Sequence, residues 1–506
     1  MRLAGALALC AAGAGQAAAK DKTPEEWQAI ARTDLDAVRE AIKAAHPGWI
    51  DERNPAFRAW AEQGYREAQA LVPRVVSYDT MMSAVRYYVT GFRDGHFVYS
   101  DNARSNDYRV LTNGWRLDRV GDAYVVAAHN PEWLGPLPPF GAKLLSCDGR
   151  PVESLVAEYV APYVDRRDVS EVQMRHASSL VYLHLAGQEL KRCSFEQADG
   201  KLLDFAVAYQ ALPSKSLFRM VRMAPAQPET DRSNAYSFKD GVLWIRARNF
   251  NMNPEQVRKL DAMLKEVAVL QGVGRIVFDV RGNGGGDSRV GEQILVAATG
   301  GLEFDRRGLD SLPRFYPQWR VSEVSIDNLD RAVRKMGERY GSDSVQARQI
   351  EVLRERLKQA KQAGQAWVEE AGGPRLTRAD IERRGGKLRR FAGTVALVTD
   401  SRCASACLDF ADAVRQIPGS VHLGQPTGSD TVYLERGLTR LPSGNLLFLP
   451  MKVWRNRVRG DGEALVPDIP LHVDMNDDAA VRTATLTALA RLPGLATAPA
   501  TAGTSR

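Results

Sequence analysis

"GRIVFDVRGNGGG", Gly274 to Gly286, is the stretch that decides the fold. An apolar run through Ile276, Val277, Phe278 and Val280 ends in a loop that is mostly glycine. A short continuous apolar run bounded by turn residues reads as a buried strand. Upstream, "GVLWIRARNF" (Gly241 to Phe250) reads as a second strand. Between the two, "NPEQVRKLDAMLKEVAVLQG" (Asn253 to Gly272) is an amphipathic helix with Val257, Leu260, Leu264 and Val267 on one face. Strand, helix, strand of this length is a βαβ crossover, so the expected class is α/β. The texture returns at "GTVALVTD" (Gly393 to Asp400), in the helix after Ser405 and at "SVHLGQPTG" (Ser420 to Gly428). "GNLLFLPMKVWR" (Gly444 to Arg455) adds a late strand.

Working outward, the chain divides into several segments. Residues 1–19, "MRLAGALALCAAGAGQAAA", carry an early Arg2, a short apolar core and a small-residue cleavage site near Ala19. This is a secretory signal peptide, too short to cross a membrane as a helix. Leu9 before Cys10 is too bulky for a lipoprotein site. With no later apolar run of the ~20 residues a membrane helix needs, a periplasmic or secreted protein without an integral membrane segment is expected. Residues 20–108 read as a helical N-terminal unit. In it Thr23 caps a helix, Pro24 suits the first turn, Glu26 completes a capping box, and Pro47-Gly48 stop it. Residues 109–215 read as a β-rich domain. "FGAKLLSCDGRPVESLVAEYV" (Phe140 to Val160) gives strand, Asp-Gly turn, strand and helix, the order of a PDZ-like carboxylate groove. The α/β core then occupies 216–300 and 391–475. Residues 301–390 interrupt it as a charge-rich helical insertion, with Ile350, Leu353, Leu357 and Ala360 at helical spacing. A C-terminal helix and an Ala/Thr-rich disordered tail fill 476–506.

Composition excludes some functions. Hydrophobic residues are 44% and charged residues 25%, which suits a large globular core. The net charge of +7 is spread along the chain with no basic tract interleaved with aromatics, so no nucleic-acid partner is expected. No Cys/His cluster has zinc spacing, and no Gly-Lys-Ser/Thr follows the glycine loop, which excludes the usual phosphate loop. No metal or cofactor is expected. Beyond the signal, Cys147, Cys193, Cys403 and Cys407 allow three disulfide pairings, and spacing does not choose among them.

The chemistry concentrates at "SRCASACLDF", Ser401 to Phe410. Ser405 sits at a strand-to-helix corner. There it is either an N-cap residue or a nucleophile whose oxygen is exposed beside helix N–H groups. A nucleophilic serine needs a base, and "RDGHFVYS" (Arg93 to Ser100) offers His96 after an Asp-Gly turn. The glycine loop offers backbone N–H groups for an oxyanion.

The ordered set "RDGHF", "GVLWIRARNF", "GRIVFDVRGNGGG", "GTVALVTDSRCASACLDFADA", "GQPTG" and "GDGEALVPDIPL" resembles the serine peptidase family of tail-specific processing proteases, tricorn core proteases and interphotoreceptor retinoid-binding proteins. The resemblance implies a ClpP/crotonase-like α/β catalytic core. The tail-specific branch pairs its serine with a lysine, but Asp430 in "GQPTGSD" stands at that place. The chain therefore resembles the Ser-His-acid branch. Carried over by position, the resemblance makes Ser405 the nucleophile, His96 the general base, and the Gly286 and Ala406 amides the oxyanion donors. The acid falls on Asp461, with Glu463 as the alternative. The implied activity is hydrolysis of peptides or unfolded proteins near their C-termini through an acyl-enzyme. A non-catalytic peptide- or ligand-binding protein on the same fold is the alternative.

Overall fold

The computed structural model describes residues 22–102, 108–222, 233–300, 316–370, 391, 393–417, 419–457 and 459–492. The expected signal peptide with Cys10, both ends of the 301–390 insertion and the final tail lie outside the described residues.

The α/β class expected from the sequence is the class observed. A six-stranded sheet runs Ala235–Lys239, Val242–Arg246, Arg275–Asp279, Thr394–Thr399, Val421–Gly424, Ile469–Pro470. The first pair is antiparallel and the rest are parallel, with Ile276 opposite Val395 and Phe278 opposite Leu397. Successive side chains alternate faces. Leu243, Ile245, Ile276, Phe278, Val395 and Leu397 pack under the helices Pro254–Ala268, Ser288–Thr299 and Ala406–Arg415. Trp244, Val277, Ala396 and Val398 face the other way, against Val481 and Leu489 of the helix Asp478–Ala490. Covering on both faces is why these strands read as continuous apolar runs. In the crossover helix the buried residues are Val257, Leu260, Met263 and Val267; Leu264 sits at the margin.

A second sheet centres on Leu446–Arg455, which pairs with Val98–Ser100, Tyr433–Arg440 and Tyr316–Arg320, the last carrying Trp367–Glu369 at the edge. Two strands thus arise within the stretch expected to be helical, beside the helices Glu323–Tyr340 and Val345–Gln362. The N-terminal helices Pro24–Ala45, Pro55–Leu71 and Tyr78–Thr90 pack on this sheet through Leu35, Val38, Met81, Val85, Leu447, Leu449 and Val453. The Thr23–Glu26 capping box forms at the first of them.

The β-rich segment builds a separate antiparallel sheet of Trp115–Val120, Ala123–His129, Lys143–Cys147, Arg192–Glu196 and Leu202–Ala206. Cys147 and Cys193 are cross-strand partners and are disulfide-bonded; Cys403 and Cys407 form the second bond. Among the described residues no helix is long and apolar enough to cross a membrane.

Candidate active site

The parallel strands end at Asp279, Thr399 and Gly424 along one edge of the sheet, where ligands of open α/β sheets bind. The loops leaving Asp279 and Thr399 are tied together. Asn283 is the hub: its side-chain amide donates to Ala247 O at 2.7 Å, its Oδ1 accepts the Gly285 amide at 2.9 Å, and its carbonyl accepts the Ala404 amide at 3.2 Å. Asp400 Oδ1 accepts the Gly282 amide at 2.9 Å. Beneath them, fully buried Asp279 binds Arg248 (2.5 Å) and Arg281 (2.7 Å), and Asp478 reaches the same two guanidiniums.

Glycine is required where these loops touch. A Cβ on Gly285, at φ +92°, would stand 2.6 Å from Ala404 O, 2.8 Å from Ser405 Cβ and 3.0 Å from Ala406 N. One on Gly286 would stand 2.3 Å from Phe250 O. The glycine run is thus pressed against the serine corner on one side and the preceding strand's exit on the other.

Ser405 occupies the N-cap position of the helix Ala406–Arg415, yet makes no side-chain cap bond. Its backbone lies at φ 55°, ψ −125°, a region side chains rarely adopt. Its Oγ instead lies 3.1 Å from His96 Nε2. The Gly286 and Ala406 amides donate to no backbone acceptor among the described residues.

His96 arrives from the N-terminal unit, 309 residues away in sequence. The turn Arg93–His96 is held by Asp94, whose Oδ1 accepts the His96 amide at 2.8 Å and whose Oδ2 accepts the Thr431 hydroxyl at 3.0 Å. The next residues then pair with the second sheet, Val98 opposite Phe448. Gly95 passes under Arg167, where a Cβ would stand 2.5 Å from Nη1. That guanidinium is held by Asp165 and donates to Ser429 O at 2.8 Å, so the β-rich segment grips the same turn. A cavity of about 390 Å³ lies on this side, lined by Asp94, Gly95, Asp79, Arg86, Tyr182 and His184 among others.

Neither expected acid forms an ion pair with the imidazole among the described residues. Asp461 Oδ1 accepts the Val432 amide at 2.8 Å, and Glu463 is exposed and turned back onto the Gly460 amide. The carboxylate facing the ring is Asp94, with Oδ1 3.6 Å from Nδ1. Electrostatics separate the two aspartates. Burial pushes Asp94 up, but hydrogen bonding and charge attraction with His96 outweigh it, leaving its pKa below the ordinary value. Desolvation raises Asp461, and the Asp94 charge adds to the rise. Asp94 was legible only as part of the Asp-Gly turn. An aspartate two residues before a histidine can both close that turn and face the ring.

Asp430, at the place a lysine would hold, is buried against Arg457 (2.7 Å) and Arg459. Among the described residues no group of three or more His, Cys, Asp or Glu side chains could hold a metal.

Mature CPAF superposes with a TM-score of 0.53 at 10% identity, covering 88% of this chain and 93% of that one. Mature CPAF complexed with lactacystin gives 0.54 at 11% identity, covering 92% and 99%. The photosystem II D1 C-terminal processing protease gives 0.36 at 13%, covering 90% and 96%. No curated protein matches the sequence. The family model of peptidase family S41 matches residues 241–471, from the strand Val242–Arg246 to the end of the sheet. Through that core the chain is similar to peptidase family S41, a family of peptidases.

Proposed function

We propose that this chain is an exported serine peptidase that cleaves peptides or unfolded proteins near their C-termini through an acyl-enzyme. The observation that carries the reading is the Ser405–His96 contact. A serine at a helix N-cap ordinarily turns its oxygen onto its own helix. This one forgoes that bond, takes a left-handed backbone and presents Oγ to an imidazole at 3.1 Å.

In the proposed cycle Ser405 Oγ attacks the substrate carbonyl carbon and its proton passes to His96 Nε2. The negative charge on the carbonyl oxygen meets the Gly286 and Ala406 amides. Collapse breaks the C–N bond, and the proton on Nε2 goes to the leaving amine. Water, deprotonated by the same nitrogen, then releases the acyl group. Asp94 takes the acid's part in place of Asp461 or Glu463, since it faces Nδ1 and its surroundings favour the charged form. The preference for C-termini rests on the antiparallel sheet of residues 115–206, whose strand order suits capture of a terminal carboxylate by backbone amides.

The test uses a fluorophosphonate probe and an unfolded protein substrate with wild type and Ser405→Ala. The expected result is labelling and cleavage by wild type and neither by the variant. Absence of both from the wild type would leave the fold without the proposed chemistry. Peptides ending in a carboxylate should be cut in preference to their C-terminal amides.

A further inference from the structure

The Cys403–Cys407 disulfide closes over Ala404-Ser405-Ala406, so the serine lies at the centre of its loop. Both cysteines are fully buried in the core cluster that contains Phe250, Phe278 and Phe410. One precedes the corner and the other stands in the helix's first turn. This corner has two local defects. Ser405 holds a positive φ that its side chain disfavours, and the helix begins without its side-chain cap. Both would be relieved by one relaxation: an ordinary extended N-cap, with Oγ swung back to its own helix and away from His96. Backbone bonds anchor the flanks, Cys403 N to Asp400 O at 3.1 Å, Gly428 N to Cys403 O at 3.0 Å and Cys407 N to Ala404 O at 3.1 Å. The last of these closes a turn across the serine, and the disulfide encloses that turn covalently from one residue further out.

We propose that the Cys403–Cys407 disulfide is a positioning element for the nucleophile, holding the corner in its left-handed form so that Ser405 Oγ stays on His96. The inference rests on Ser405 being the nucleophile. The bond touches no substrate, and its effect is on the reactivity of the serine. Cys147–Cys193, a cross-strand bond in the β-rich sheet, supplies an internal control.

The experiment compares wild type, Cys403→Ala/Cys407→Ala and Cys147→Ala/Cys193→Ala in the full chain. It measures fluorophosphonate labelling rate, kcat and KM on one peptide, and thermal melting. A nucleophile displaced by about 1 Å loses about 10²-fold in rate. Labelling and kcat of the 403/407 variant should therefore fall by about 10- to 100-fold with KM unchanged and a cooperative melt retained, while the 147/193 variant labels as wild type. Labelling of the 403/407 variant at the wild-type rate overturns the proposal while leaving Ser405 the nucleophile. Failure of wild type itself to label overturns both. Should the variant not fold, wild type is treated with a dithiol, which gives two electrons and two protons to the bond and leaves as its own cyclic disulfide. Thiol alkylation and mass spectrometry then report which bond has opened. Labelling that falls as Cys403–Cys407 opens, and returns on reoxidation, supports the proposal; labelling indifferent to that opening overturns it.

Discussion

Replacing Asp94 by asparagine removes the charge facing the His96 ring while keeping the shape of the turn, because the side-chain amide oxygen of the variant can still accept the His96 amide now bound at 2.8 Å. The charged imidazole forms when Ser405 gives up its proton, so the loss is felt in the transition state. With Oδ1 3.6 Å from Nδ1 and an effective dielectric of about 20, two unit charges attract by about 4–5 kcal/mol. Each 1.36 kcal/mol is a factor of ten, so kcat should fall by about 10³ with KM little changed. Asp461→Asn in parallel keeps an oxygen for the Val432 amide and should cost no more than about fivefold, the worth of one neutral hydrogen bond. The assay is peptide hydrolysis from pH 5 to 8, with melting curves to show that both variants fold. Asp94 is held below its ordinary pKa and stays charged across that range. Its contribution is present above the unfolded carboxylate value and is lost only as pH falls through the lower folded value, so Asp94→Asn should lower the whole profile and leave its inflection to another group. Near wild-type kcat in Asp94→Asn, or a 10³-fold loss in Asp461→Asn, would refute the assignment.

Two further outcomes follow from close packing and from burial. Gly285→Ala drives a Cβ into Ala404 O, Ser405 Cβ and Ala406 N at a positive φ. It should displace the serine corner and cost at least about 10²-fold in labelling rate, whereas Gly284→Ala, with nothing within 4 Å, should label as wild type; equal labelling of the two would count against the glycine loop as a buttress. Asp79 is raised by burial from 3.8 to about 7, and its Oδ2 has no hydrogen-bond partner. The native state holds that proton through a window in which the unfolded chain has lost it, so stability falls as pH climbs through the window. Asp79→Asn should stabilise the chain relative to wild type at pH 8 by on the order of 2 kcal/mol, and by far less at pH 5. Urea melts at the two pH values check this, and a gain independent of pH would show that Asp79 is not the group responsible.

The α/β core was legible because its signals are local. Ile276, Phe278, Val395 and Leu397 lie in short apolar runs ended by glycine or aspartate, and both faces of those strands are covered. Ser405 was visible as a corner residue; sequence left open whether its oxygen caps the helix or leaves it, since that depends on where His96 arrives. The carboxylate facing the ring was hidden for a related reason. Asp461 lies near the place the resemblance indicates, but its loop is bound to Val432. Asp94 is held facing the ring in a turn whose second carboxylate oxygen is fixed by Thr431, from the far end of the chain. The strands Tyr316–Arg320 and Trp367–Glu369 were masked by their charged and polar residues, with only Pro317, Trp319 and Val368 turned inward. The disulfide pairings depend on which strands are neighbours, and spacing carries no such information.

On the proposed reading, Asp430 explains why the base comes from so far away. A lysine at this position would stand beside Arg457 and Arg459, the two guanidiniums that now neutralise a fully buried carboxylate. Arg459 also binds Asp412 of the helix after Ser405 at 3.0 Å, and the Gly462 amide donates to Asp430 O. The surroundings suit a carboxylate, and both arginines engage it. The imidazole that meets Ser405 belongs to the N-terminal helical unit, which is held on the second sheet by Val98 against Phe448 and by Tyr99, whose hydroxyl donates to Asp34 and accepts from Asn445. In a serine–lysine arrangement the core would carry both partners. Here, on the proposed assignment, the core carries only the nucleophile, so the proposed site is assembled only while the N-terminal unit is docked, and loosening that docking separates His96 from Ser405.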